Sequence, residues 1–144
     1  MDQNYILVRA VGYLGLIPFL SGAFLSLNIV SLPYNLENYT LLFCVYYSAI
    51  ILSFMGGVLW GYELVESTNT SKNMIIIILV PPLWAAFALI APLTCFLLAF
   101  GFAFIYWLDI RSTQEKKSPY WWLKLRAPLN SFAILSLIVM GFNE

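Results

Sequence analysis

Asp109 and Arg126 are the charges in this sequence best placed to do chemistry, because each stands where an apolar run meets a hydrophilic loop. If a helix begins near Pro119, Arg126 lies about two turns inside it, ~10 Å from its start. A charge at that depth needs a partner. Two readings follow: an ion pair between Asp109 and Arg126 that ties two apolar segments together, or an Arg126 that binds a lipid phosphate or another anionic group. Glu63 and Glu66 follow an apolar run and read as solvated loop acids, since a proton relay would need an intramembrane His, Lys or second carboxylate, and the chain has no histidine. Cys44 and Cys95 show no CxxC spacing and read as buried structural thiols, with a disulfide between them as the alternative. There is no GxSxG, no P-loop and no cluster of acids with metal-ligand spacing, so no enzyme, metal or cofactor is expected. A Ser–Lys or carboxylate mechanism would require partners brought together from different helices.

A second pattern concerns packing. Ala49, Ser53, Gly57 and Gly61 are spaced four apart, so on a helix they form a small-residue notch into which a neighbouring backbone could press. Trp60 follows Gly56 by four residues, and the lean of helical side chains toward the N-terminus would lay its indole over that glycine. The alternative use of the notch is to line a ligand cleft.

The elements that must position these residues are membrane spans. Of 144 residues, 62% are hydrophobic and 10% charged, against roughly 45–50% and about 25% in soluble domains. The chain is expected to be an all-α polytopic membrane protein, a single domain built as a bundle of five transmembrane helices. Net charge is zero, with no basic tract of the kind that phosphate backbones require, so nucleic acid is excluded as a partner. Apolar runs place spans at about 8–27, 39–62, 74–90, 93–108 and 127–142, with an amphipathic interfacial segment at about 118–126. Residues 28–38 read as a polar linker. Pro18 should bend the first span and strand the carbonyl of Leu14, with Ser21, Ser53 and other bundle-facing hydroxyls as candidate donors to repair it; Pro81 and Pro82 should kink the third. Ser67, Thr68, Asn69 or Ser71 could start that third span, and Ser118 is a plausible N-cap with Pro119 at the first helical position.

Five spans put all seven Lys and Arg residues on one side. The positive-inside rule then gives a cytoplasmic or matrix N-terminus and an external C-terminus. Trp60, Trp107, Trp121 and Trp122 with nearby tyrosines form an inner aromatic belt, and Tyr34, Tyr39, Tyr46 and Tyr47 an outer one.

The runs LGLIPFL at Leu14–Leu20, LSFMGGVLWG at Leu52–Gly61, the Pro82–Trp84 region, Asp109 and PYWWLKLR at Pro119–Arg126 together resemble the transmembrane protein 69-like family, a bacterial and mitochondrial group of membrane domains of unknown function. Asn130 departs from the pattern, standing where the resemblance leads one to expect threonine. The resemblance implies a multi-span protein of the bacterial inner membrane, or of the inner mitochondrial membrane. It implies no activity.

The candidate structural or functional cluster is therefore Ser53, Gly56, Gly57, Trp60, Gly61, Trp84, Asp109, Trp121 and Arg126, and any site is expected at the inner end, where the glycines of the second span lie on the same side as Asp109 and Arg126. Expected partners are the lipid bilayer and either a membrane protein or a second copy. The expected role is a non-enzymatic scaffold, accessory subunit or assembly factor. The alternative is binding or transport of a hydrophobic small molecule such as a lipid, quinone or tetrapyrrole. A pocket at a kink, lined by Trp60 or Trp84, would favour binding; tight packing around Gly57 would favour the scaffold.

Overall fold

The computed structural model describes residues 3–66, 72–115 and 118–143, and among them every regular element is helical. Six helical segments follow in order: α1 (Gln3–Leu14), α2 (Ile17–Ser26), α3 (Tyr34–Glu66), α4 (Lys72–Ala88), α5 (Thr94–Gln114) and α6 (Tyr120–Gly141). Segments α1 and α2 form one interrupted span, Ile6–Ser26, and with Tyr34–Gly61, Thr94–Gln114 and Tyr120–Gly141 give four helices long and apolar enough to cross a membrane. Helix α4, 17 residues long, measures roughly 26 Å. The chain is an all-α membrane bundle.

The first span breaks at Gly15 and Leu16 rather than bending at Pro18. The Leu16 N–H donates to Tyr13 O at 3.0 Å, three residues back instead of four, and the ladder restarts with Leu20 N–H on Leu16 O. Pro18 thereby falls in the first turn of α2, where its missing N–H is not needed. The expected hydroxyl donors act elsewhere: Ser21 bonds Pro18 O and Ser53 bonds Ala49 O. The hydroxyl that serves the break is Tyr47, which donates to Gly15 O at 3.1 Å. Tyr47 lies 13 residues into α3 and faces this mid-span break, so it does not belong to an outer aromatic belt.

Helix α2 ends in a Schellman arrangement, with Asn28 in the left-handed region at φ 55°, Asn28 N–H on Leu25 O and Ile29 N–H on Phe24 O. Asn143 Nδ2 donates to Ser26 O at 2.8 Å and ties that end to the end of α6. The 28–38 linker is shorter than expected: α3 starts at Tyr34, with Leu36 and Glu37 N–H groups on Pro33 O. Asn35, Glu37 and Asn38 are polar because they occupy the end of a long helix, where Glu37 also complements the helix dipole. At its other end α3 continues to Glu66, so Glu63 and Glu66 stand on a helix rather than in a loop. Helix α4 runs through Pro81 and Pro82 as one element. Residues 67–71, with the four proposed start signals, lie outside the described residues.

Helix α5 is the centre, burying Leu98, Phe102 and Ile105 against Phe19 of α2, Leu52 of α3, Ala85 and Ala88 of α4 and Leu137 of α6. In lipid such contacts gain from close van der Waals fit rather than from expulsion of water, so small residues matter where backbones approach. Those residues are Gly101, where an added Cβ would lie 2.5 Å from Leu52 and 3.0 Å from Trp84, together with Gly22 against Met140 and Gly141 against Phe96. The expected notch is different: at Gly57 and Gly61 an added Cβ meets no described atom within 4 Å. Residue size reveals that a backbone could approach; which faces are covered depends on the other helices.

The two glycines should therefore respond oppositely. Gly101→Val forces the fully buried Leu52 aside and should cost about 1–3 kcal/mol, read as a lower thermal midpoint in detergent, while Gly57→Leu leaves it unchanged; equal effects would contradict this packing.

Candidate functional site

The turn between α5 and α6 sets the site. Pro119 is the N-cap of α6, with extended backbone and no side-chain cap; Ser118 is instead buried, its hydroxyl 2.9 Å from that of Thr113 and its N–H on Ser112 O. Helix α6 then runs without interruption from Tyr120 through Pro128, so the segment read as interfacial is the first two turns of the last span. This brings Arg126, six residues into α6, against Asp109, five residues before the end of α5.

Asp109 is 1% exposed and Arg126 5%. Arg126 Nε and Nη2 both reach Asp109 Oδ2 at 3.1 Å, and Trp122 Nε1 donates to Oδ1 at 3.4 Å. The Trp122 ring lies 5.5 Å from the guanidinium carbon, a contact that favours a desolvated cation. Trp122, Arg126 and Asn130 recur every four residues and so share one face of α6. Asn130 is 3% exposed and stands close enough to Asp109 for the two side chains to interact, yet its Nδ2 has no hydrogen-bond partner in proper geometry.

Beside this pair is a partly enclosed cavity of about 230 Å³. Its walls are Gly12, Gly15, Leu16 and Phe19 at the broken first span, Tyr47, Ile51 and Met55 of α3, Phe102 of α5, and Arg126, Leu129, Asn130 and Ala133 of α6. Phe19 packs edge-on against both Tyr47 and Phe102, with centroids 5.7 and 5.6 Å apart, forming an aromatic floor. Val11 and Phe54 line the mouth and are both 60% exposed. Both belong to membrane spans, so the opening faces hydrocarbon. The cavity lies beside the break, with Gly15 and Leu16 in its wall and Gly12 of α1 close to Leu129 of α6. Polar groups sit in an apolar cup: Arg126, Asn130 and Tyr47.

The family model described as a protein of unknown function (DUF3429) matches residues 6–142. The chain belongs to the DUF3429 family. Transmembrane protein 69 from Xenopus tropicalis is 32% identical over 142 residues, covering 93% of this chain and 53% of that protein. The DUF3429 chain thus spans about half the length of that curated relative, and the resemblance read from its sequence is upheld. No solved structure matches.

In this DUF3429 protein the residues proposed as one cluster are dispersed. Asp109 and Arg126 meet directly. Trp84 is near the opposite end, its Nε1 on Leu97 O at 2.7 Å across the α4–α5 turn. Trp60 is 47% exposed and Gly56 buried, while Ser53, Gly57 and Gly61 follow α3 outside the cavity wall. Trp121 is largely exposed, edge-on to Trp122. Cys44 and Cys95 are both buried and are not joined by a disulfide. Sequence reasoning placed Trp122 and Tyr47 in aromatic belts and singled out Asn130 only as a departure from the family pattern, so none of the three was read as a site residue. The four-residue spacing of Trp122, Arg126 and Asn130 was a usable signal; for Tyr47 there was none, since nothing local links it to Gly15.

Removing one member of the ion pair strands the other. Asp109→Ala should cost about 3–5 kcal/mol, whereas Asp109→Leu combined with Arg126→Met should restore most of the loss, because a packed apolar pair replaces a buried ionic one at little cost. Thermal unfolding of both variants tests it; a double variant no better than the single would show that the two residues act separately.

Proposed function

We propose that this is a non-enzymatic membrane protein that holds a hydrophobic small molecule in the cavity between the broken first span and α6. The observation that carries the reading is the combination at that place: an apolar cup, a mouth facing the bilayer, and a few polar groups on one wall, the usual composition of a small-molecule site. Size limits the occupant. An engineered cavity of about 150 Å³ accepts benzene, and drug-sized ligands occupy about 300–1,000 Å³. A cavity of about 230 Å³ suits one ring or a short polar head whose tail stays in lipid. A tetrapyrrole exceeds it.

The membrane we infer is the bacterial inner membrane, or the mitochondrial inner membrane in a eukaryote, with the N-terminus on the cytoplasmic or matrix side. Arg9, Lys72, Arg111, Lys116, Lys117, Lys124 and Arg126 all belong to that end under the positive-inside rule. A second reading, a scaffold or accessory subunit, is favoured by the open Gly57 and Gly61 face, onto which a partner helix or second copy could pack.

The first reading predicts that decylbenzene raises the thermal midpoint of the protein in nanodiscs in a saturable way. Ala133→Leu, which fills the cavity from α6, and Val11→Trp, which fills its mouth, should both abolish the increase while remaining folded. An unchanged increase in both variants would place the binding elsewhere.

A further inference from the structure

We infer that the end of the bundle opposite Asp109 and Arg126 carries a second site, which takes a primary ammonium group borne on an apolar chain. The C-termini of α2 and α6 meet the N-termini of α3 and α5 there. Between them lies a second cavity, of about 390 Å³. Its walls are held in place from both sides: Asn28 closes the Schellman end of α2 at φ 55°, and Asn143 Nδ2 on Ser26 O ties α6 to α2. Glu37, Asn28, Asn38 and Asn143 form its more exposed rim, while Leu25, Leu41, Val45 and Met140 form a more buried apolar floor. Tyr34 and Tyr39, exposed on α3 to either side of Glu37, set this rim at headgroup depth.

Charge selects the occupant. Among the described residues Glu37 is the only charged side chain at this end: Arg9 lies in α1, Lys72 opens α4, Arg111 is in the last turn of α5, and Lys124 and Arg126 lie in the first turns of α6, all toward the other end. The Glu37 carboxylate has no hydrogen-bond or ion-pair partner among the described residues. An anion entering the cavity would meet an uncompensated negative charge, and a neutral molecule would leave that charge unanswered. An ammonium answers it through charge-assisted hydrogen bonds. Its remaining N–H donors have acceptors beside the carboxylate in the side-chain oxygens of Asn28, Asn38 and Asn143, the last of which spends only its Nδ2 on Ser26 O. The apolar floor then receives the carbons next to the nitrogen. Two sources carry this group at this depth: the head of an aminophospholipid, whose phosphate the Asn28 and Asn38 amide N–H groups can meet, and a free alkylamine.

Hexylamine, hexanol and hexanoate, titrated by thermal shift in phosphatidylcholine nanodiscs, test the site. Hexylamine should bind the native protein about fivefold more tightly than Glu37→Gln, the worth of an ion pair at a partly exposed carboxylate. Hexanol should not distinguish the two proteins, and hexanoate should not prefer the native one. Any binding in the cavity beside Arg126 is common to both proteins and cancels in the comparison. Leu41→Trp, which fills the floor and keeps the carboxylate, should weaken hexylamine binding as well. Mass spectrometry of the protein released from discs of equal phosphatidylethanolamine and phosphatidylcholine identifies the source: enrichment of the ethanolamine lipid that Glu37→Gln loses assigns the group to a lipid, and hexylamine binding without enrichment assigns it to a free amine. Equal hexylamine affinity in the native protein and Glu37→Gln overturns the inference, as does a preference of hexanoate for the native protein. Undiminished binding in Leu41→Trp would show a surface attraction with no site behind it. Neither hexylamine binding nor lipid enrichment in the native protein would overturn the inference outright, without touching the reading of the first cavity.

Discussion

A guanidinium keeps its charge at every accessible pH, so wherever α6 carries Arg126 into the membrane, a counter-charge must be waiting. Asp109 is that counter-charge, and the requirement fixes how α5 and α6 meet. The register of the two helices must bring a residue five positions from the end of one against a residue six positions into the other. The Thr113–Ser118 hydroxyl contact joins the end of α5 to the residue before the N-cap of α6. Trp122 then covers the pair and donates to the carboxylate oxygen that Arg126 leaves. Stability is not the main product of such an arrangement, since an apolar pair could pack as well. What it provides is a single permitted alignment of the central helix with the last one.

With α5 and α6 aligned, the rest of the bundle is built by close approach. Gly101, Gly22 and Gly141 admit side chains from α3, α4, α6 and α5. The first span cannot follow the same rule along its whole length. Its ladder breaks ahead of Pro18, and in hydrocarbon a broken ladder must be served by a protein donor, because water is absent. Tyr47 supplies it. The break has a second consequence: α1 no longer continues the packing of α2, and the space left between α1, α3 and α6 is the cavity. The break thus borders a hollow that carries Arg126 and Asn130 in its wall.

The Asn130 amide and the Gly57–Gly61 face show opposite relations between residue type and use. Asparagine is expensive in a membrane interior, and here its side chain is buried beside Asp109 of the ion pair. Glycine is inexpensive there, and two glycines on α3 stand open. The amide is held beside the ion pair, whereas the glycines mark only open room.

Composition determined the class of this protein: with so little charge and such long apolar runs, the backbone must satisfy itself in helices. The chemistry of Arg126 also determined that a partner would exist, and Asp109 was identifiable as the acid at the matching end of the preceding span. Element ends were less legible, because polar residues such as Asn35 and Glu37 look alike on a protruding helix end and in a linker, and Pro18 marks a defect without saying which peptide yields. Only the tertiary structure decided that the break lies at Gly15 and Leu16, that Tyr47 repairs it, that Gly101 rather than Gly57 is the packing glycine, and that Trp84 belongs to the far end of the bundle. Each of these depends on which helix lies opposite, a relation between segments distant in sequence, and in lipid every apolar face is equally suited to protein or to hydrocarbon.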